Sequence, residues 1–254
     1  MGPVHIGAFL PPSRIARAVS DSTRLPTGCA PVDELLGGGL ERGTVTQVYG
    51  QPAAGKTNLA LGATVETAAT GGLALFIDTE GISVDRFEQL VTGRVDADEV
   101  DPVTGRIVVS EAHDFDEQEE AVRDAAELAP NLELIVLDSA TGFYRLERGS
   151  QAAEGDALRQ VTRQITHLLS LARKHDLAVL VTNQVFADPD ADRIRPLGGN
   201  TFAHWSGTIL RLDRFRGGNR RATIEKHRSK PAGDTAQFRI TDVGLSAVDG
   251  LGRP

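Results

Sequence analysis

The sequence predicts an α/β fold: a mostly parallel central sheet flanked by helices, with a small C-terminal antiparallel extension. Three observations lead there. Gly50-Gln51-Pro52-Ala53-Ala54-Gly55-Lys56-Thr57 reads G-x-x-x-x-G-K-T, set between a β-branched apolar run and a proline-free run of helix formers. From Leu73 to Thr182, short apolar segments alternate with segments that are apolar only at helical spacing. That is the pattern of a parallel sheet covered on both faces. Beyond Thr208 the segments become short strands, the first two joined by a Gly217-Gly218-Asn219 turn.

Taken in order, residues 1–22 are mixed and broken at Pro11-Pro12, and are expected to form an arm or tail. The core is expected over 23–245 and a C-terminal tail over 246–254. Val32 to Leu36 make a short helix stopped by Gly37-Gly38-Gly39. Thr44 to Tyr49 is the first core strand, and Asn58 to Ala69 the helix after the glycine-rich loop. Leu73 to Asp78, Ile107 to Ser110, Leu134 to Asp138 and Ala178 to Thr182 follow as strands. Between them fall helices over Asp85 to Val91, Asp116 to Leu128 and Ala153 to His175. The last carries Leu158, Val161, Ile165, Leu168, Leu169 and Ala172 on one face. Thr208 to Leu212, Ala222 to Lys226 and Gln237 to Ile240 are the late strands.

With 254 residues and 40% hydrophobic content, the chain can bury one large core. A single cysteine, Cys29, excludes a disulfide framework and a cysteine-based metal site. It points to a reducing compartment, and the expected location is the cytoplasm. No apolar run approaches the roughly 20 residues that span a bilayer, so no membrane partner is expected. A net charge of −8 argues against diffuse, charge-driven binding over the whole surface. Only four lysines occur, and arginine supplies the other positive charges. Adaptation to high salt and a GC-rich genome both produce that balance.

The glycine-rich loop lets backbone amides wrap an anion, helped by the start of the following helix. Gly50, Gln51, Pro52, Ala53, Ala54, Gly55, Lys56, Thr57 and Asn58 are the candidate nucleotide-binding set, with ATP and Mg²⁺ as the expected ligands. Lys56 is placed to reach the β and γ phosphates, and the Thr57 hydroxyl to hold the metal. Asp138 ends an apolar strand, where a carboxylate can hold the same ion. Glu80 lies just past another strand end and could orient the attacking water, although an ordinary loop glutamate has the same placement. Gln184 ends the next strand and could sense the γ phosphate or simply cap the sheet. Two loops leave this edge, one with Arg145 and Arg148 and the other with Arg193 and Arg195. Such arginines suit a phosphodiester backbone, and solvated surface charge is the plainer reading. Lys226-His227-Arg228 follows a strand and could serve a neighbouring subunit's nucleotide. Phe202 and Trp205 read as core, and the histidines show no metal-ligand spacing.

Together these residues resemble the RecA/RadA recombinase superfamily, and within it the archaeal RadB branch of RadA paralogues. The resemblance rests on Leu25-Pro26-Thr27-Gly28, Asp33 to Gly39, the phosphate loop and Ile77-Asp78-Thr79-Glu80-Gly81. It continues through Leu137-Asp138-Ser139, Thr182-Asn183-Gln184-Val185, Pro196-Leu197-Gly198-Gly199, His204-Trp205 and Lys226 to Ser229. It implies a RecA-type P-loop ATPase core, with Glu80 activating water, Gln184 sensing the γ phosphate and Arg86 over the adenine. It implies that Lys226 and Arg228 act on a neighbour's site and that the arginine loops bind single-stranded or branched DNA. The implied function is a DNA repair and homologous recombination accessory, hydrolysing ATP weakly and exchanging no strands itself. Implied partners are the RadA recombinase, a Holliday-junction resolvase and further copies of the chain. Two features depart from RadA-type recombinases. No Phe-x-x-Ala docking element occurs, and 22 residues are too few for their N-terminal DNA-binding domain. A ring-forming signalling ATPase of the circadian-clock type and an adaptor with a vestigial nucleotide site remain alternatives.

Overall fold

The structure, a computed structural model, describes residues 24–143, 151–187, 194–196, 199–215 and 218–248. The expected arm, Arg145, Arg148 and Arg193 lie outside the described residues.

The chain opens with β1 (Arg24–Leu25) and β2 (Leu40–Glu41), paired antiparallel around α1 (Ala30–Leu36). Asp33 ties this unit together, accepting from the Thr27 amide at 2.7 Å and the Thr27 hydroxyl at 2.8 Å. α1 stops at Gly37, whose φ of 82° is a conformation glycine reaches without steric cost. Next come β3 (Val45–Gly50), α2 (Lys56–Ala69), β4 (Leu73–Asp78), α3 (Val84–Thr92) and α4 (Val100–Thr104). They are followed by β5 (Ile107–Glu111), α5 (Phe115–Leu128), β6 (Leu132–Asp138), α6 (Gln151–His175) and β7 (Ala178–Asn183). β8 (Val185–Ala187), β9 (Ile194–Pro196) and α7 (Gly199–Trp205) lead to β10 (Thr208–Arg214), β11 (Asn219–Lys226), β12 (Thr235–Thr241) and β13 (Gly244–Ala247).

Among the described residues the main sheet has nine strands in the order β13-β12-β11-β10-β3-β7-β6-β4-β5. The strands from β10 to β5 run parallel, and β11 to β13 extend the sheet antiparallel. The fold expected from the sequence is therefore the fold observed. Side chains alternate between two cores. Ala74, Phe76, Leu134, Val136, Ala178 and Leu180 face α2, while Leu75, Ile77, Ile135, Leu137, Val179 and Val181 face α5 and α6. This two-sided burial is why each strand reads as continuously apolar. Each fully buried aliphatic side chain contributes roughly 1.5–3 kcal/mol.

Several short elements carry no clear sequence signal. α4 contains Pro102, and α7 begins at Gly199-Asn200, which reads as a turn. The second arginine loop, expected as irregular chain, has an antiparallel ladder at its base, with Val185 opposite Pro196 and Arg195 opposite Phe186. β13 carries the sheet to Ala247, two residues past the expected core boundary. Phe202 is buried as expected, but Trp205 is 37% exposed, because α7 ends there beside a shallow cleft. Among the described residues no helix is long and apolar enough to cross a membrane.

Candidate functional site

Register brings the chemistry to one edge. Asp78 lies opposite Asp138, Tyr49 opposite Asn183 and Gly50 opposite Leu212, so the carboxyl ends of β4, β6, β7, β3 and β10 line up. In open parallel sheets this edge holds the ligand. A cleft of about 290 Å³ lies there, lined by Gly50, Pro52, Ala53 and Gly55 to Asn58, with Glu80, Gln184 and Val185 opposite.

The phosphate loop has its expected form. Gly50 has no room for a side chain, since a Cβ would sit 2.3 Å from the Leu212 carbonyl oxygen. Ala53 has φ 60° and Gly55 φ 101°, turning successive amides inward before α2 begins. Lys56 Nζ donates to the Gly50 carbonyl at 3.0 Å and the Gln51 carbonyl at 3.3 Å. Burial holds its ammonium below the usual lysine range, partly offset by the Glu80 and Asp138 carboxylates.

Asp138 is almost fully buried, its Oδ1 accepts a hydrogen bond from the Thr182 hydroxyl, and the Thr57 hydroxyl lies beside it. Its Oδ2 is buried with no partner among the described residues. A buried carboxylate oxygen without a donor, beside the Thr57 hydroxyl, fits a hard divalent cation. Burial pushes its carboxyl up to about 6, with the Glu80 and Asp78 charges adding to the rise and the Thr182 and Thr57 hydroxyls opposing it. A raised value means that the folded chain holds a proton here which the unfolded chain has already released. The contribution of this group is therefore full below the ordinary aspartate value near 4 and is lost as pH rises through about 6. In chelator and without nucleotide, Asp138→Asn should remove this loss. Relative to the wild type, the variant should gain roughly 1–3 kcal/mol between about pH 4 and pH 7, measured by denaturant melts. Parallel pH profiles of the two proteins would contradict this account of Asp138.

Glu80 and Gln184, 104 residues apart, meet directly. Gln184 Nε2 and Ser139 Oγ both donate to Glu80 Oε1 at 2.7 Å. Asp78, not singled out from the sequence, holds the turn that carries Glu80. Its carboxylate accepts from the amides of Glu80 at 3.0 Å, Gly81 at 3.0 Å and Ile82 at 2.6 Å. Thr79 Oγ1 accepts from the Ser139 amide at 2.8 Å and donates to the Ser139 carbonyl at 3.0 Å, stitching the ends of β4 and β6 together. A strand ending in Asp-Thr-Glu-Gly beside one ending in Asp-Ser is the signal that could have flagged these partners. Thr141, also not singled out, donates to Asn183 Oδ1 at 2.8 Å and accepts from the Gln184 amide at 3.1 Å. It links the start of the first arginine loop to the start of the second.

Other expected residues sit elsewhere. Arg86 Nε donates to Asn58 Oδ1 at 2.8 Å, and its Nη1 to the carbonyls of Thr241 at 2.9 Å and Asp242 at 3.1 Å. Its guanidinium thus pins α3 and the β12–β13 turn to the first turn of α2. Lys226 Nζ caps the end of α7 through the carbonyls of Ala203 at 2.7 Å and Ser206 at 2.8 Å. Arg228 Nη1 reaches Glu41 at 3.4 Å. Both line the second cleft, beside Trp205, and neither lines the cleft at the phosphate loop.

Comparison with known proteins agrees with this fold. The family model described as Rad51 matches residues 19–248. The chain is 66% identical over 230 residues to the DNA repair and recombination protein RadB of Halobacterium salinarum, covering 90% of this chain and 97% of the relative. The protein of the same name from Methanococcoides burtonii is 42% identical over 223 residues, with coverage of 87% and 97%. The crystal structure of the RadB recombinase superposes with a TM-score of 0.76 at 36% identity, covering 89% of this chain and 100% of that one. The sheet order, the phosphate loop and these relatives lead to one conclusion: the chain belongs to the Rad51 family of RecA-like DNA repair and recombination proteins, in its archaeal RadB branch.

Proposed function

We propose that the chain is an ATP-binding recombination accessory that hydrolyses ATP slowly, binds single-stranded or branched DNA and exchanges no strands by itself. The observation that carries this reading is the convergence of Lys56, Thr57, Glu80 and Gln184 on one cleft, with the Asp138 carboxylate buried close enough to act on Lys56. Lys56 and the loop amides bind the phosphates, with Thr57 and Asp138 Oδ2 as the oxygens that would hold Mg²⁺. When bound, the ion neutralises phosphate charge. Glu80 orients a water for attack. Its Oε1 already takes two donors, so a water must displace one of them or use Oε2, which supports slow turnover. Gln184 joins Glu80 to β8, so a change at the cleft is transmitted to the base of the second arginine loop. Arg145, Arg148, Arg193 and Arg195 are the proposed DNA contacts. RadA is the proposed partner, in the cytoplasm, with a Holliday-junction resolvase and self-association as further proposals. Arg86 at the adenine and Lys226 and Arg228 at a neighbour's site belong to the same reading.

Glu80→Gln should leave ATP affinity within about threefold while lowering DNA-stimulated hydrolysis by about 100-fold, the usual contribution of a positioned base. Unchanged hydrolysis would remove Glu80 from the mechanism. Strand exchange by the wild-type protein alone would overturn the accessory role.

A further inference from the structure

Arg220, near the start of β11, is only 9% exposed and lies opposite Phe238 on the face turned toward α2. Its Nη1 donates to the carbonyls of Gly218 at 2.7 Å and Asn219 at 3.2 Å. Its Nε is buried with no partner among the described residues. No carboxylate pairs with it among the described residues, and the charge that acts on it is a like one, Arg214. Buried cations are normally paired, because desolvation costs more than neutral acceptors return. Among the described residues, Arg220 therefore has no anion.

The position of Arg220 indicates which anion would serve it. Its Nε stands 4.0 Å from where a Cβ on Gly55 would be, and Ile240 Cδ1 stands 3.0 Å from the same point. Arg220 thus lies against the phosphate loop at the residue before Lys56, without lining the cleft. We propose that Arg220 is a positioning residue for the nucleotide's phosphates, its charge acting through Gly55. This rests on the reading of the cleft as an ATP site. Because the effect is electrostatic, it grows with ligand charge, so Arg220 separates triphosphate from monophosphate rather than recognising the base. It also ties occupancy of the cleft to the C-terminal antiparallel strands, where Arg220 is anchored.

The test is calorimetric titration of the full chain with ATP, ADP and AMP, in magnesium and moderate salt. Arg220→Met should weaken ATP about tenfold and AMP about twofold or less, as expected for one charge acting across the loop in a partly polar medium. Arg220→Lys, which keeps the charge but loses the fork to the Gly218 and Asn219 carbonyls, should stay within about threefold for all three ligands. Unchanged affinities in the Met variant overturn the proposal. So does an equal loss for all three nucleotides, or an equal loss in the Met and Lys variants, since each marks a merely structural arginine. If the Met variant does not fold, Arg220→Gln is titrated instead. Two neutral variants that cannot fold assign Arg220 to the hairpin alone and also overturn it. A wild-type chain that binds no nucleotide would refute the reading of the cleft itself, a distinct result.

Discussion

Lys56→Ala is expected to weaken ATP binding by about 100-fold or more, roughly 3 kcal/mol, the scale of a charge-assisted hydrogen bond to phosphate. The Lys56 ammonium donates to two loop carbonyls, and burial works against its charge. Those are weak partners for a cation, and phosphate oxygens are better ones. Removing the side chain should therefore cost binding far more than folding, with a stability change within about 1 kcal/mol, or a few degrees of melting temperature. Calorimetry and thermal melts of the same preparation would measure both. Unchanged ATP affinity would mean that the loop does not grip the phosphates.

Gly50→Ala should do the reverse, striking the fold first. The added methyl would meet the Leu212 carbonyl at 2.3 Å and the Ala54 Cβ at 3.2 Å. Neither can retreat cheaply. Leu212 is paired on both sides, with Gly50 of β3 and Ala222 of β11, and Ala54 is fully buried. Relief requires β10 to move away from β3, which breaks the ladder joining the parallel sheet to its antiparallel extension. We expect a loss of about 3 kcal/mol or more, a fall in melting temperature of about 6–12 °C for a domain of this size, and loss of nucleotide binding with it. A variant as stable as the wild type would mean that the loop and β10 are not in this contact.

Much of this is legible in the residues themselves. The phosphate loop is a contiguous string whose spacing is imposed by one anion, so Gly50 to Thr57 are legible in the sequence itself. Leu73–Asp78 begins and ends as read from the sequence, because a strand buried on both faces leaves an unbroken apolar run. Asp138, Glu80 and Gln184 are legible because each lies at or just past a strand end, and strand ends collect at one edge. The linkage of Gln184 to Glu80 was not legible, because it depends on the spacing between β7, β6 and β4. The same holds for Asp78, whose three amide contacts are a matter of turn geometry. Arg220 gave no signal, being one of several arginines in a polar hairpin. Its burial follows from pairing with β12, which sets its side chain on the inner face.

The order of residues alone determined the fold class, the core strands, the phosphate loop and the family, because local periodicity and a contiguous motif record them directly. Register and packing decided which distant groups touch. They put Gln184 on Glu80, drew Thr57 and Thr182 to Asp138, tied Arg86 to the β12–β13 turn and set Arg220 against Gly55. The physical reason is that hydrogen bonds and charges act over a few ångströms, and such distances between residues far apart in the chain exist only once the sheet has closed.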